Sequence, residues 1–224
     1  MTTTALTLPQ GLYGITPDWQ DFTRLKAAVE QACKGGMKIL QWRQKHLSFE
    51  QSLQLAPQMR ELCHRHGCLF IVNDSLELAL QCQADGVHLG RDDDDLKTVR
   101  QRLQQLQRSM LVGVSCYNEL ESAKQAAAMG ADYMAFGAVY PSSTKPNATH
   151  AELRLFTELK AYLDQKYPPQ AAHKRPAICA IGGITSANAA AVVAAGADCL
   201  AVITGLFETE QIQTTARFFS DLYN

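Results

Sequence analysis

Large apolar side chains gather in short runs along the chain: Leu12 to Ile15, Ile39 to Trp42, Leu69 to Val72, Val87 to Leu89, Leu111 to Val114, Tyr133 to Phe136, Ile178 to Ile181 and Leu200 to Ile203. Short apolar runs rich in β-branched and aromatic residues, bounded by polar and glycine positions, predict buried strands. Between them the apolar spacing lengthens. Leu25, Ala28, Val29 and Ala32, and then Leu53, Leu55, Ala56, Met59 and Leu62, place one apolar face on a helix. Strands separated by helices must run parallel, and eight successive right-handed crossovers can close the sheet on itself and abolish its edges. The pattern therefore predicts an α/β fold, a (β/α)8 TIM barrel formed as a single domain over residues 1–224, with a doubly wound open sheet as the runner-up.

Three segments echo one another: Cys82-Gln83-Ala84-Asp85-Gly86, Met129-Gly130-Ala131-Asp132-Tyr133 and Ala195-Gly196-Ala197-Asp198-Cys199. Each reads as a helix end turning into a strand, with Gly130 and Gly196 supplying a left-handed cap. A repeated αβ turn suits a repeated βα unit. Residues 141 to 150, rich in Pro, Ser and Thr, predict a long mobile loop after the sixth strand, and Tyr167 to Ala172 breaks the chain before the seventh. Neither resembles a domain boundary.

A length of 224 residues lies close to the roughly 250 typical of an eightfold barrel. With Lys+Arg 21 against Asp+Glu 22, the net charge of -1 supplies no long-range field toward nucleic acid or an anionic membrane, so anion binding must be local. No apolar run approaches the ~18 residues of a membrane span, and the amino terminus lacks a secretory pattern. The seven cysteines are odd in number, scattered, and never form a C-x-x-C pair. Neither a disulfide framework nor a zinc ribbon is indicated, and a cytoplasmic setting fits. A homo-oligomer is compatible with the pattern.

In a barrel, chemistry sits at the carboxyl ends of the strands, and those ends are polar here. Gln41, Arg43 and Lys45 alternate after the second run and point one way; an exposed, solvated strand end is the bland reading. The third run ends in Asn73-Asp74 and the fourth leads to Asp93. Two carboxylates from neighbouring strands suit Mg2+, which prefers oxygen. They equally suit helix capping, by Asp74 or Ser75 on one side and by the aspartate run on the other. For Asp94 and Asp95 capping is the preferred reading. Ser142, Ser143, Thr144 and Lys145 form a hydroxyl-rich turn with a cation. Gly182-Gly183 after the seventh run and Ile203-Thr204-Gly205 after the eighth suit backbone contacts to a phosphate, although a tight turn alone would explain the glycines. Cys116 has no evident activating histidine and reads as a packing thiol. His88 reads as a hydrogen-bonded core histidine, and His64 and His66 as surface residues.

In their joint order, these motifs resemble the thiamine-phosphate synthase family from Gly11 to about Leu206: Gln41-Trp42-Arg43-Gln44-Lys45, Asn73-Asp74, Gly86-Val87-His88-Leu89-Gly90 with Asp93, Gly113-Val114-Ser115, Pro141 to Lys145, and Ala180 to Ile184. The resemblance implies an Mg2+-dependent transferase that joins a pyrimidine diphosphate to a thiazole phosphate. It implies that Gln41, Arg43, Lys45, Asn73, Ser115 and Lys145 contact the first substrate, with Arg43, Lys45, Ser115 and Lys145 catalytic. By the same resemblance Asp74 and Asp93 hold the metal. Ser142, Ser143, Thr144, Gly183, Ile203 and Thr204 would receive the thiazole phosphate. Two positions depart from the family pattern: Ser75 stands where arginine is common, and Cys116-Tyr117 where a small residue and histidine are common. A thiazole tautomerase, expected to carry that histidine and to lack the full diphosphate set, is the first alternative. A non-catalytic thiamine-precursor-binding barrel is the second.

Overall fold

The computed structural model describes residues 6–91, 93–142, 148–170 and 174–224. The order is β1 (Gly11–Ile15), α1 (Phe22–Lys34), β2 (Ile39–Trp42), α2 (Phe49–Arg65), β3 (Leu69–Asn73), α3 (Leu76–Gln81), β4 (Gly86–Leu89), α4 (Leu96–Gln105), β5 (Leu111–Tyr117), α5 (Leu120–Ala128), β6 (Tyr133–Phe136), α6 (Arg154–Lys166), β7 (Ala177–Ile181), α7 (Ala189–Ala194), β8 (Cys199–Val202), α8 (Thr204–Phe207) and α9 (Ile212–Asp221). Each strand pairs in parallel with the next, and β8 returns to β1, so the sheet closes. The open sheet is thereby excluded. Among the described residues no helix is long and apolar enough to cross a membrane.

Alternation along the strands separates two apolar layers. Leu12, Phe70, Val72, Ile178, Leu200 and Val202 face outward against the helices, where they join one continuous core. Tyr13, Ile39, Ile71, Tyr133, Cys179 and Ala201 face inward and fill the barrel. The period of two that builds each strand thus sorts its side chains between ring and interior.

The echoed αβ turns have a shared physical role. Asp85, Asp132 and Asp198 each accept a hydrogen bond at Oδ2 from a backbone N–H of the preceding strand: Phe70 at 2.7 Å, Val112 at 2.7 Å and Ile178 at 2.8 Å. Each carboxylate also meets a cationic or imidazole partner, namely His64, Arg100 and Arg175 at 2.8, 2.6 and 2.8 Å. Gly130 and Gly196 adopt the expected left-handed backbone, with φ of 88° and 108°, and Gln83 takes the same position in the first copy at φ 56° without the glycine.

Three strands end away from their apolar runs, and β3 does so by reaching Asn73. β5 continues to Tyr117 because it pairs with β6 through Ser115 and, after a shift in register, again at Tyr117. β8 stops at Val202, since Ile203 has turned to φ -111°, ψ -87° and opens the short helix α8. The base of the loop after β6 is anchored rather than loose: Val139 and Tyr140 donate to the Ile181 and Gly182 carbonyls at 3.0 and 3.1 Å.

Candidate active site

A cavity of about 340 Å³ opens at the carboxyl ends of the strands, within the range of small-molecule sites. Its polar wall begins on β2. Gln41, Arg43 and Lys45 line the cavity, while Trp42 is buried against Phe22 and Phe70 on the helix side. The loop after β1 fixes this segment. Thr16 Oγ1 accepts from the Arg43 N–H at 2.8 Å, Asp18 accepts from the Lys45 N–H at 2.9 Å, and the Gln44 amide donates to the Pro17 carbonyl at 2.7 Å. Both cations therefore project from a backbone held in place at their own residues.

Ser75, not Asp74, caps α3, accepting from the Leu78 N–H at 3.1 Å. Asp95 caps α4 through the Thr98 N–H at 3.1 Å. The capping roles are thus filled by neighbours, and Asp74 and Asp93 turn to each other in hydrogen-bond contact. Asp93 Oδ2 also accepts from the Gly90 N–H at 2.6 Å. Burial first, then the hydrogen bond and repulsion from Asp93, push the Asp74 carboxyl up to about 6, with Lys45 and Arg43 pulling the other way. Two carboxylates pressed together at the edge of a cavity form a hard oxygen donor set, which fits a divalent cation such as Mg2+.

The floor of the cavity holds a chain of polar groups. Gln41 Nε2 donates to Tyr13 Oη at 2.9 Å, the Tyr13 and Tyr133 hydroxyls meet at 2.8 Å, Tyr133 Oη lies 3.1 Å from His88 Nδ1, and His88 Nε2 lies 2.9 Å from Ser115 Oγ. Two directions of donation complete the links, and one of them also gives the buried Tyr13 hydroxyl proton a partner in the chain. In that direction the Gln41 amide donates to Tyr13, Tyr13 to Tyr133 and Tyr133 to Nδ1, which leaves Nε2–H to donate to Ser115. Ser115 is then an acceptor toward His88 and keeps its own proton for a group in the cavity. His88 is hydrogen-bonded and buried, as the sequence pattern implies, but it also lines the cavity.

The opposite wall comes from β6, β7 and β8. Ser142, Gly183, Ile203 and Thr204 line it. Gly183 has φ 62°, and a Cβ there would stand 2.8 Å from the Tyr140 carbonyl carbon, so the loops after β6 and β7 touch through this glycine. Asn188 accepts from the Thr185 N–H at 2.8 Å and donates to the Gly183 carbonyl at 3.0 Å, clamping the turn from behind. Of the sequence-derived candidates, Gln41, Arg43, Lys45, Asn73, Asp74, Ser115, Ser142, Gly183, Ile203 and Thr204 thus share one cavity, and Asp93 joins at its edge through Asp74. Ser143, Thr144 and Lys145 lie outside the described residues.

Several lining residues escaped the sequence pattern. Tyr13 and Tyr133 carry no motif signal because their hydroxyls matter only through partners distant in sequence. Arg91 lies over the Tyr117 ring, 4.5 Å from its centroid, and its N–H donates to the Tyr117 hydroxyl at 3.2 Å. The departure at Tyr117 is therefore built into the cavity wall. Cys116 faces away into the core, and burial pushes its thiol up to about 12, as a packing thiol requires.

Closed barrel and polar chamber together define the class, a (β/α)8-barrel enzyme working at the carboxyl ends of its strands. Residues 12–206 match the family described as thiamine monophosphate synthase, and the chain belongs to that family. It is 52% identical to a thiamine-phosphate synthase of Bordetella avium over 212 residues, covering 95% of this chain and 94% of the relative. A thiamine-phosphate synthase of Methylobacillus flagellatus is 43% identical over 224 residues, the whole of both chains. Among solved structures, a thiamine phosphate pyrophosphorylase from Pyrococcus furiosus superposes with a TM-score of 0.79 at 26% identity, over 96% of this chain and 95% of that one.

Proposed function

We propose that the chain is an Mg2+-dependent transferase. It condenses 4-amino-2-methyl-5-(diphosphooxymethyl)pyrimidine with 4-methyl-5-(2-phosphooxyethyl)thiazole to give thiamine phosphate and pyrophosphate. The observation that carries this reading is the joining of two cations and a facing carboxylate pair in one chamber, in a chain of this family. The bond from the pyrimidine methylene carbon to the diphosphate oxygen breaks with its electron pair leaving on pyrophosphate. The thiazole nitrogen lone pair then forms the new C–N bond, so atoms and charge balance without a protein nucleophile.

The leaving group develops negative charge as it departs, and fixed positive charge beside it lowers that barrier. Arg43 and Lys45 supply such charge from the β2 wall, and Lys145 joins them in this reading. Asp74 and Asp93 would hold Mg2+, which when bound neutralises diphosphate oxygens. Gln41, Asn73 and Ser115 orient the pyrimidine, and the His88 bond keeps the Ser115 proton directed at it. Ser142, Ser143, Thr144, Gly183, Ile203 and Thr204 seat the thiazole phosphate, aligning the nitrogen and displacing water. Tyr117, where a tautomerase is expected to carry histidine, favours the synthase over that paralogue.

The deciding experiment incubates the purified chain with both substrates and Mg2+. Thiamine phosphate and pyrophosphate should appear in equal amounts and cease on chelation. Binding of both substrates without product, or isomerisation of a thiazole precursor in place of condensation, would overturn the assignment.

A further inference from the structure

The seven cysteines are dispersed in sequence, yet three converge in space. The sulfurs of Cys33, Cys63 and Cys68 all lie within 4.8 Å of one another. Their relative exposures are 7%, 0% and 1%, so the cluster is sealed except at the Cys33 edge. Three elements deliver them: the last turn of α1, the last turn of α2 and the residue before β3. Four residues separate Cys63 from Cys68 around the α2 terminus. There the Cys68 N–H donates to the Cys63 carbonyl at 3.0 Å, and Gly67, at φ 67°, reverses the chain. The turn thus forms a two-thiol chelate within the spacing that zinc sites use, and α1 adds a third thiol from a separate segment.

We propose that Cys33, Cys63 and Cys68 form a binding site for a thiophilic divalent cation of the zinc class, remote from the reaction chamber. Sulfurs each about 2.3 Å from such an ion stand roughly 3.8–4.0 Å apart, inside the 4.8 Å that bounds their separation here. Three thiolates around a divalent ion leave one net negative charge, whereas a monovalent ion leaves two. In a buried setting the smaller residual charge costs less, which favours the divalent ion. The fourth position faces the Cys33 edge, the least sealed side of the cluster, where water would complete the coordination. Helix carboxyl ends and strand amino ends lie on the face of the barrel opposite the chamber, where residues serve stability. A bound ion would therefore tie α1, α2 and β3 together and leave chemistry untouched.

The test uses the reduced full-length chain with excess Mg2+ present to occupy carboxylates. Cd2+ titration should produce thiolate-to-metal charge-transfer absorption saturating at one ion per chain. Zn2+ should compete with it and raise the melting temperature. Removing even an outer-shell partner costs a metal site roughly 10–100-fold in affinity, so Cys33→Ala and Cys68→Ala should each lose about 100-fold or more. Cys82→Ala, a buried thiol outside the cluster, should bind as wild type. Cys33 lies at the edge, so its variant tests the site even if Cys68→Ala folds poorly. Absence of the sulfur signal in the folded wild type, or its survival in folded Cys33→Ala, would overturn the site. So would finding two of the three sulfurs joined as a disulfide that takes up no metal after reduction. None of these readouts involves turnover, so failure here is distinct from failure of the proposed reaction.

Discussion

Asp74 sits at φ 65°, a left-handed conformation that aspartate and asparagine tolerate better than other side chains. Asp74→Asn therefore keeps the backbone and removes only the charge, whereas alanine would mix lost chemistry with strain. We expect Asp74→Asn, and likewise Asp93→Asn, to lower turnover on the order of 100-fold or more, because charge stabilisation at the leaving group is lost. Steady-state kinetics with circular dichroism as a fold control checks this, and near-wild-type rates in both variants would remove the metal role. A second residue-scale consequence follows from the chain of hydroxyls. Tyr133 lies over Gly113 so closely that a Cβ on the glycine would fall within the ring, which fixes the ring beside His88. Tyr133→Phe preserves that packing and deletes only the link to Tyr13 and His88. A lost buried hydrogen bond costs about 1–3 kcal/mol. We expect kcat to fall roughly 10-fold with substrate KM little changed, since Ser115 is misdirected rather than removed. Unchanged kcat would reduce the chain of hydroxyls to packing.

At the scale of elements, the repeated Ala-Asp turn is the most informative feature of the sequence, and its meaning needed the structure. The echo itself was legible, as were Gly130 and Gly196 as left-handed caps. That each aspartate holds a backbone N–H of the strand before it was not, because the partner is 15 to 20 residues away. The eight strands were legible from apolar runs since every strand is buried on both faces. The extra length of β5 was not, because Ser115 and Tyr117 are polar and pair only through a shift in register. Most of the candidate site was readable for a similar reason: barrel geometry assigns strand-end residues to one chamber. The tyrosines were invisible because neither periodicity nor local spacing joins them, and the three-cysteine cluster because nothing in the local spacing of Cys63 and Cys68 points to Cys33 on α1. Asp198 offers the sharpest stability test. It is buried and serves the Ile178 N–H, Arg175 and Gln10 together. Asp198→Ala should cost about 2–3 kcal/mol by leaving buried partners unmet. At roughly 2–4 °C per kcal/mol for a chain this long, the melting temperature should drop by several degrees in calorimetry. A change below about 1 °C would mean that the turn aspartates are incidental.

Over the whole molecule, the closed barrel assigns its two ends to different tasks. Strands run from the face of the αβ turns, where Asp85, Asp132, Asp198 and the cysteine cluster lie, to the face holding the chamber. Stability and catalysis should therefore respond independently to substitution. At the chamber, Asp74 and Asp93 face each other, and the raised Asp74 carboxyl means that its charged form is disfavoured in the metal-free fold. Replacing it by asparagine removes a like-charge contact, so Asp74→Asn should hold or raise the melting temperature of the metal-free chain while abolishing most activity. Asp198→Ala should do the reverse, lowering the melting temperature and leaving kcat/KM within about 2-fold at temperatures where the chain stays folded, since it touches no chamber residue. The double variant makes the stronger test. Sites that share no partners usually combine within about 0.3–0.5 kcal/mol, so the stability changes of the two substitutions should add. Urea unfolding of wild type, both single variants and the double variant, all without metal, measures the sum. Coupling of 1 kcal/mol or more would show that the faces communicate through the strands, and the division of labour between the two ends would have to be abandoned.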